Sequence, residues 1–442
     1  MVVLPQPAAF AERTTLTSFR FLHAADLHLD SPLRGLDADG AAPAARIRAA
    51  SREALANLVS LAVAERVDLV VISGDLYDGD WQDFRTGQAL VAALGRLTRA
   101  GIRVAAIRGN HDAESVLTRN LRLPEGASLL SARAPETLRL EDLGVAIHGQ
   151  SFATRDVQEN LARDYPAPLG GLFNIGLLHT AATGRPNHAG YAPCTVEQLA
   201  GHGYDYWALG HIHEREVLLR EPWIVFPGNL QGRHINEPGA KGATLVTVRE
   251  GHVAEVEHRA LDTVRWRHLA VDCSGAADLD AALDRVREAM GGALDGAEGR
   301  LLALRLSLEG DCAAHRELAQ DLAGTRERVR AVGLELAEEE SFWIEGVRIG
   351  TRPLRAPAPA AARGDAAARL LGAVEALSGG EAADPALAEA ARHYAAALLD
   401  RAGNLREALG PDHPAVRAAA GEIPPEFLRR ARDLLLARLG EG

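Results

Sequence analysis

Five short polar stretches of this chain each follow an apolar run, and they carry the side chains that could do chemistry. The sharpest is Ile107-Arg108-Gly109-Asn110-His111-Asp112. An apolar run from Ile102 to Ile107 ends in a glycine and three polar residues, the pattern of a buried strand emptying into a tight turn. Gly109 lets the backbone turn sharply because it has no Cβ. Asn110 then offers an amide oxygen, His111 an imidazole and Asp112 a carboxylate. The other stretches bring Asp26 and His28 after Phe21–Ala24, Asp75 after Val67–Ile72, His179 after Asn174–Leu178, and His211 and His213 after Asp205–Leu209. Each has a bland explanation when taken alone. Gly-Asn turns are common, Asp75 after Gly74 suits a turn, and a lone His28 or His179 is more often a surface or hydrogen-bonded core residue. The full set, with every member behind an apolar run, points to a site.

In an α/β sheet, ligands gather in the crevice at the carboxyl ends of the strands. Residues far apart in sequence would therefore meet there. Carboxylates, imidazoles and one amide oxygen suit manganese, iron or zinc better than calcium or magnesium, which prefer all-oxygen shells. Asp26 and His28 are two apart and point to one side of an extended backbone, as do His211 and His213. Each pair can serve one ion or be divided between two adjacent ions. Asp75 stands between the two halves and is the natural bridging carboxylate. Two cations about 3.5–4 Å apart would polarise a phosphoryl group and supply hydroxide at neutral pH. His111, beside Asn110, is placed to protonate a leaving oxygen without being a ligand.

These side chains need elements to hold them. Short apolar runs alternate with helical stretches from Phe19 to about Arg265, which argues an α/β sheet flanked by helices. Helices are predicted over Ala44–Arg66, with Ile47, Leu55, Leu58, Val59 and Ala62 on one face, and over Phe84–Ala100. Further strands are predicted at Val145–His148, Trp223–Phe226 and a hairpin of Ala243–Val248 with His252–His258 around Glu250-Gly251. Two halves of this kind imply a two-layered β core between helices. From Arg267 the texture becomes that of a small α+β module: a strand from Val271, a helix over Leu279–Met290, a strand over Leu301–Leu308, a helix over His315–Arg330 and a strand over Phe342–Ile349. Leu354 to Gly364 is rich in proline and alanine and reads as a linker. Asp365 to Gly442 is helical in pattern. The domain reading is a tail at 1–18, a catalytic domain at 19–265, a module at 266–353, a linker at 354–364 and a helical region at 365–442.

Among the remaining residues, Arg233 and His234 lie in a flexible loop and are candidates for phosphate contact. His23 is expected to be buried and hydrogen-bonded. His148 is expected to line the cleft or sit in the core, and His188, His202 and His315 to lie in loops or at the surface. Ser378-Gly379-Gly380-Glu381 lacks the spacing and the lysine of a phosphate-binding loop.

Composition sets outer limits. A chain of 442 residues, 47% apolar and 24% charged, has room for two or three ordinary globular domains. A net charge of −12 does not advertise nucleic acid. It does not exclude it either, because bound cations invert the local potential. Three scattered cysteines, Cys194, Cys273 and Cys312, argue against a disulfide framework or a cysteine zinc site, and a reducing cytoplasm fits best. No signal-peptide pattern opens the sequence and no apolar run reaches membrane-spanning length.

The motifs DLH (Asp26–His28), GDLYD (Gly74–Asp78), GNHD (Gly109–Asp112), LLH (Leu177–His179) and GHIH (Gly210–His213) together resemble the calcineurin-like metallophosphoesterase superfamily. The stretch His23–Leu33 and the run Gly74–Asp80 are similar to the bacterial SbcD and YhaO type of DNA-repair exonuclease subunit. The resemblance implies a four-layered α-β-β-α core with a small α+β capping domain and a C-terminal helical region. It implies two divalent ions, Mn2+ first, with Fe2+ or Zn2+ as alternatives. Asp26, His28, Asp75 and His213 would hold one ion, and Asp75, Asn110, His179 and His211 the second. His111 would be the catalytic histidine, with Asp112 orienting it, and a metal-activated hydroxide would attack a phosphodiester. The implied partners are DNA and an SMC-like ABC ATPase with coiled coils, docked on the C-terminal helices; a homodimer stays open and no membrane is expected. Asp30 stands where many relatives carry glycine. Two other functions compete: a small-molecule phosphodiesterase or phosphatase acting on cyclic nucleotides or nucleotides, and a non-catalytic scaffold subunit. The mass after Arg265 argues against the first. The intact ligand set with His111 argues against the second, because a structural site has no use for a proton donor.

Overall fold

The computed structural model describes residues 18–31, 41–78, 84–113, 122–182 and 191–354, with positions 389, 392–393, 395–397, 399, 409–410 and 413–421. The expected tail, apart from Ser18, the expected linker, apart from Leu354, and nearly all of the expected C-terminal helical region lie outside these residues, as does His188. No helix among the described residues is long and apolar enough to cross a membrane.

The order of elements is β1 (Phe19–Ala24), α1 (Ala41–Ala64), β2 (Leu69–Ser73), α2 (Phe84–Arg99), β3 (Arg103–Ile107), β4 (Ala127–Leu129), β5 (Glu136–Leu140), β6 (Val145–Gly149) and β7 (Phe173–His179). There follow α3 (Val196–Gly201), β8 (Tyr206–Gly210), β9 (Glu216–Arg220), β10 (Trp223–Phe226), β11 (Gly242–Arg249) and β12 (His252–Ala260). Two six-stranded sheets result, in the orders β12-β11-β1-β2-β3-β4 and β5-β6-β7-β8-β10-β9. In the first, β1 to β4 run parallel; in the second, β6, β7, β8 and β10 do. The carboxyl ends of each parallel set therefore open on one side.

Alternation along each strand explains the layering. Phe19, Phe21, Leu69, Val71, Ala105 and Ile107 meet Val145, Ile147, Phe173, Ile175, Leu177 and Tyr206 between the sheets. The intervening Leu22, Ala24, Val70, Ile72, Val104 and Ala106 pack against Leu55 and Leu58 of α1 and Leu90, Leu94 and Leu97 of α2. On the far side of the second sheet, Leu178, Trp207, Leu209 and Phe226 pack with Leu199 of α3. The layers are α-β-β-α, as the motifs implied. Strands covered on both faces read as unbroken apolar runs, which is why β2 and β3 were legible.

Departures from expectation have local causes. β4, β5 and β9 are short and half-exposed, so they carry no strong pattern. α3 has only six residues but a full capping box, in which Thr195 and Gln198 satisfy each other's backbone N–H groups. β13 runs from Val264 to Asp272, beginning seven residues before Val271. After α4 (Leu279–Asp295) and β14 (Leu301–Asp311), the single helix expected over His315–Arg330 is two: α5 (His315–Gln320) and α6 (Leu322–Leu336). Asp321 breaks it, leaving helical backbone and using its carboxylate to cap α6 at Gly324 N. β15 (Phe342–Arg352) completes a three-stranded sheet in the order β13-β14-β15. His315, expected in a loop or at the surface, is buried and bonded to Thr351. His148 is a core residue, held between Thr137 and Asn174.

The chain divides into two compact units. The first takes residues 1–268, 294–304 and 338–345; the second takes 269–293, 305–337 and 346–442. Within the first, the start of α1 packs its Ala44, Ile47 and Ala50 against Val264, Trp266, Leu301 and Ala303.

His23, in β1, is wholly buried, with Nδ1 3.1 Å from the Tyr206 hydroxyl and Nε2 3.1 Å from the Leu209 carbonyl oxygen. Burial pushes its imidazole down from 6.5 to about 3, against a smaller upward pull from Leu209. As pH falls through this window the unfolded chain takes up a proton that the folded chain refuses. The stability that neutral His23 contributes then drops by about 1.4 kcal/mol per pH unit. Denaturant melts of the parent and His23→Gln, compared from about pH 7 to about pH 4, should show the balance moving toward the variant as pH falls. A constant difference would mean that His23 is already charged in the fold.

Candidate metal centre

The loops that follow the parallel strands are held in unusual backbone conformations. Asp26 (φ 51°), His28 (φ 41°), Asp75 (φ 51°) and His211 (φ 102°) all occupy the left-handed region. Each such residue with a Cβ costs on the order of 1–3 kcal/mol and persists only where its surroundings fix it. Here they do. Asp26 N donates to Gly74 O at 3.0 Å, His28 N to Asp75 O at 3.0 Å and Leu29 N to Leu76 O at 3.1 Å, so the loops after β1 and β2 run side by side. On the other flank Ala25 bridges to Asn229. The Asp26 carboxylate takes the backbone N–H of His211, at 3.1 and 3.0 Å to its two oxygens.

This framework draws the predicted side chains together. His28 Nε2 and His213 Nε2 lie 3.1 Å apart, and His213 Nε2 is 3.8 Å from Asp26 Oδ1. Asp75 Oδ2 is 3.7 Å from His28 Nε2 and 3.5 Å from His179 Nε2. His179 Nε2 is in turn 2.9 Å from Asn110 Oδ1. Asp75 thus stands between a set made of Asp26, His28 and His213 and a set made of Asn110 and His179. His211 is placed less directly: its ring lies 5.3 Å from that of His179, centroid to centroid, and its backbone N–H serves Asp26.

The donor atoms fit divalent cations. His179 Nδ1 lies 2.9 Å from Ser73 O, an acceptor only, so Nδ1 carries a proton. In the neutral ring Nε2 is then a bare lone pair, and it faces another lone pair on Asn110 Oδ1. His213 Nδ1 lies 2.7 Å from Glu237 Oε1, which turns a bare Nε2 toward His28. Buried acceptors that face each other around a carboxylate are reconciled by a cation between them. His28 Nδ1 is buried without a hydrogen-bond partner. Burial alone would lower the His179 imidazole, but the Asp75 carboxylate pushes it up to about 9. A proton and a cation compete for that one lone pair. Burial would raise the Asp75 carboxyl, yet His179, His28 and His111 hold it well below the ordinary range. The ions would be held by Asp26, His28, Asp75 and His213 on one side and by Asp75, Asn110 and His179 on the other, with His211 beside them.

Two expected roles change. Asp112, expected to orient His111, accepts from Gly109 N at 2.7 Å and Leu76 N at 2.9 Å, and so fixes the turn between the loops. Burial, then the nearby Asp75, push its carboxyl up to about 7. The carboxylate that touches His111 is Asp78, with Oδ1 2.5 Å from His111 Nδ1. Burial would lower the His111 imidazole, but the bond to Asp78 raises it overall. Arg233, expected to reach a phosphate, is turned instead toward carboxylates: its NH2 is 2.9 Å from Glu237 Oε1 and its NH1 3.6 Å from Asp78 Oδ2. His234 is half-exposed, with Nε2 3.5 Å from Glu237 Oε1. Sequence reasoning missed Asp78 and Glu237 as functional candidates. Asp78 was in view within Gly74–Asp78; nothing in the spacing marked Glu237. Asp30 (φ 56°) is held by Arg52, at 2.7 Å from Nε, and by the Thr86 hydroxyl.

Gly109 is required by space. A Cβ there would overlap Asp75 Oδ1 and lie 2.7 Å from His179 Cε1 and Nε2. Gly109→Ala should therefore fold but bind metal at least about tenfold more weakly, because one methyl displaces two supported ligands. Metal content after gel filtration checks this, and a full complement of metal would show that the turn yields without disturbing Asp75.

A family model described as calcineurin-like phosphoesterase matches residues 19–215, and one described as the middle domain of metallophosphoesterase YhaO matches residues 266–352. The chain is 36% identical over 332 residues to the uncharacterized metallophosphoesterase YhaO of Bacillus subtilis (strain 168), covering 74% of this chain and 80% of that one. It is 28% identical over 245 residues to the DNA double-strand break repair protein Mre11 of Haloferax volcanii, covering 53% and 52%. It is 31% identical over 132 residues to a subunit of the nuclease SbcCD of Rhodobacter capsulatus, covering 29% and 26%.

Proposed function

Because this chain belongs to the calcineurin-like phosphoesterase family, we propose that it is a metal-dependent DNA phosphodiesterase. The observation that carries the hydrolytic assignment is the convergence of the His28, His179 and His213 ring nitrogens and Asn110 Oδ1 around Asp75, beside a histidine that is partly open to solvent. DNA is favoured as substrate by the relatives that are similar over part of this chain, one a DNA double-strand break repair protein and one a nuclease subunit. The donor set suits manganese first, then iron or zinc.

Divalent cations bound here would polarise a phosphoryl oxygen and make a water acidic enough to attack. The chain's own residues do the rest. Asp26, Asp75 and the histidines would hold and orient the cations. Asp78 holds His111 Nδ1, so Nε2 is the ring nitrogen left for substrate. With its basicity raised, that ring carries a proton to a leaving oxygen.

The test is cleavage of end-labelled duplex and single-stranded DNA by the full chain with manganese, set against cyclic nucleotides and bis-p-nitrophenyl phosphate. DNA and the diester should be cut. Cleavage of cyclic nucleotides with DNA untouched would replace the proposal with a small-molecule phosphodiesterase, and no hydrolysis of any substrate would leave a scaffold.

A coiled-coil SMC-like ATPase is the proposed partner, as the resemblance of the motifs implies; one relative is named as a subunit of a nuclease, which fits a chain that works in a complex. A chain ending at Leu354 should fail to capture such an ATPase in a pull-down while the full chain succeeds. Equal capture by both would remove residues 365–442 from the docking role.

A further inference from the structure

We infer that Arg233 and Glu237 form a strut that keeps His213 and His111 in one register, which makes Arg233 a positioning residue rather than a phosphate ligand. The inference rests on the proposed function for the roles of those two histidines, and for nothing else.

The strut can be followed atom by atom. Glu237 is buried, and its two oxygens take five donors, the longest from Arg233 Nε at 3.3 and 3.4 Å to Oε1 and Oε2. Oε1 accepts from His213 Nδ1 at 2.7 Å and from Arg233 NH2 at 2.9 Å; Oε2 accepts from Asn229 Nδ2 at 2.8 Å and from the Arg233 backbone N–H at 2.8 Å. Arg233 NH2 also lies 3.2 Å from His213 Nδ1, but the carboxylate is closer and has no proton of its own, so the ring proton belongs to the Glu237 bond. From the same guanidinium, NH1 reaches to 3.6 Å from Asp78 Oδ2. Asp78 Oδ1 meanwhile holds His111 Nδ1 at 2.5 Å, and its other oxygen accepts from the Ser31 hydroxyl. The chain of contacts is His213–Glu237–Arg233–Asp78–His111. One planar cation lies between two carboxylates, and each carboxylate holds one functional imidazole by Nδ1.

Two features say what this does. First, both imidazoles are gripped at Nδ1, which fixes ring orientation and leaves Nε2 for the site. Second, Glu237 and Asp78 are negative, largely buried and close to one cation. Removing Arg233 leaves two carboxylates under-compensated, and breaking a buried pair is far more disruptive than never having had it. Arg233 is only 17% exposed and is committed on two edges, so little of its donor capacity is left for a substrate. A lysine cannot copy the fork, because its ammonium is a point charge.

The experiment uses the full chain. Manganese binding is measured by titration calorimetry, and kcat and KM on a short end-labelled DNA, whose leaving oxygen needs a proton, for Arg233→Lys, Arg233→Gln, Glu237→Gln and Glu237→Ala. Both Arg233 variants should lose about 10–100-fold in kcat with KM moving less than about threefold, and Lys should not rescue. Glu237→Ala should weaken one of two manganese ions about 10–100-fold and spare the other. Glu237→Gln, whose amide oxygen still accepts from His213 Nδ1, should recover most of that affinity, while its kcat falls as in the Arg233 variants because a neutral amide no longer anchors the guanidinium. A rise in KM at unchanged kcat, rescued by Lys, would overturn the strut in favour of a phosphate contact. Unchanged manganese binding in folded Glu237→Ala would overturn it too; if that variant does not fold, Glu237→Gln decides by whether its kcat falls. The metal readout needs no substrate. A parent chain that cuts nothing while Glu237→Ala still sheds an ion would sink the proposed function and leave the strut standing.

Discussion

Asp75→Ala is expected to strip the protein of both metal ions and to reduce hydrolysis to background. Asp75 Oδ2 is within 3.7 Å of His28 Nε2 and 3.5 Å of His179 Nε2, so this oxygen lies near both sets of donors. Its other oxygen accepts the backbone N–H of His111 at 2.9 Å, which ties the turn carrying His111 to the same carboxylate. Loss of a residue that merely supports a ligand weakens metal binding about 10–100-fold. Loss of a shared ligand should exceed that for each ion. Metal analysis after dialysis, with circular dichroism to confirm the fold, reads the result. Asp75→Asn is the companion variant, because it preserves shape and removes only charge. Retention of two ions by Asp75→Ala would show that the two sets bind independently, and the bridging role would be lost.

The second large effect is at His111. His111→Ala should lower kcat by about 10²–10⁴-fold, the usual contribution of one positioned acid, with metal content near that of the parent. The side chain is 38% exposed, so its removal leaves little cavity and stability should change little. A substrate whose leaving group needs no proton should be affected far less than DNA. If the variant turns over DNA at the parent's rate, another group supplies the proton. Asp78→Asn gives a graded form of the same experiment: the imidazole stays but loses the carboxylate that raises its basicity, so activity should fall less than in His111→Ala.

What the sequence revealed and what it concealed divide along physical lines. Asp26, His28, Asp75, Asn110 and His213 follow a strand buried on both faces and His179 ends one, and such a strand announces its end by an abrupt change of polarity. Asp78 and Glu237 gave no such sign. Their importance comes from which groups the folded loops bring near them: His111 Nδ1 in one case, His213 Nδ1 and Arg233 in the other. Asp112 misled because adjacency in sequence was taken for contact, whereas a tight turn sends neighbouring side chains in different directions and this one back to Gly109 and Leu76. The edge strands β4, β5 and β9 escaped notice since a half-exposed strand of three to five residues has too few buried positions to show a period. The break at Asp321 was invisible for the opposite reason: the apolar pattern continues through it, and the break lies in the backbone, where Asp321 leaves helical geometry and caps Gly324 N.

The left-handed Asp26 and His28 are stitched by main-chain bonds to Gly74 and Asp75, and Ala25 to Asn229. The centre is therefore not a handful of side chains that could be transplanted one by one. A designer wishing to move it to another scaffold would have to carry the paired ends of β1 and β2 as a single block, since neither loop keeps its shape when parted from the other.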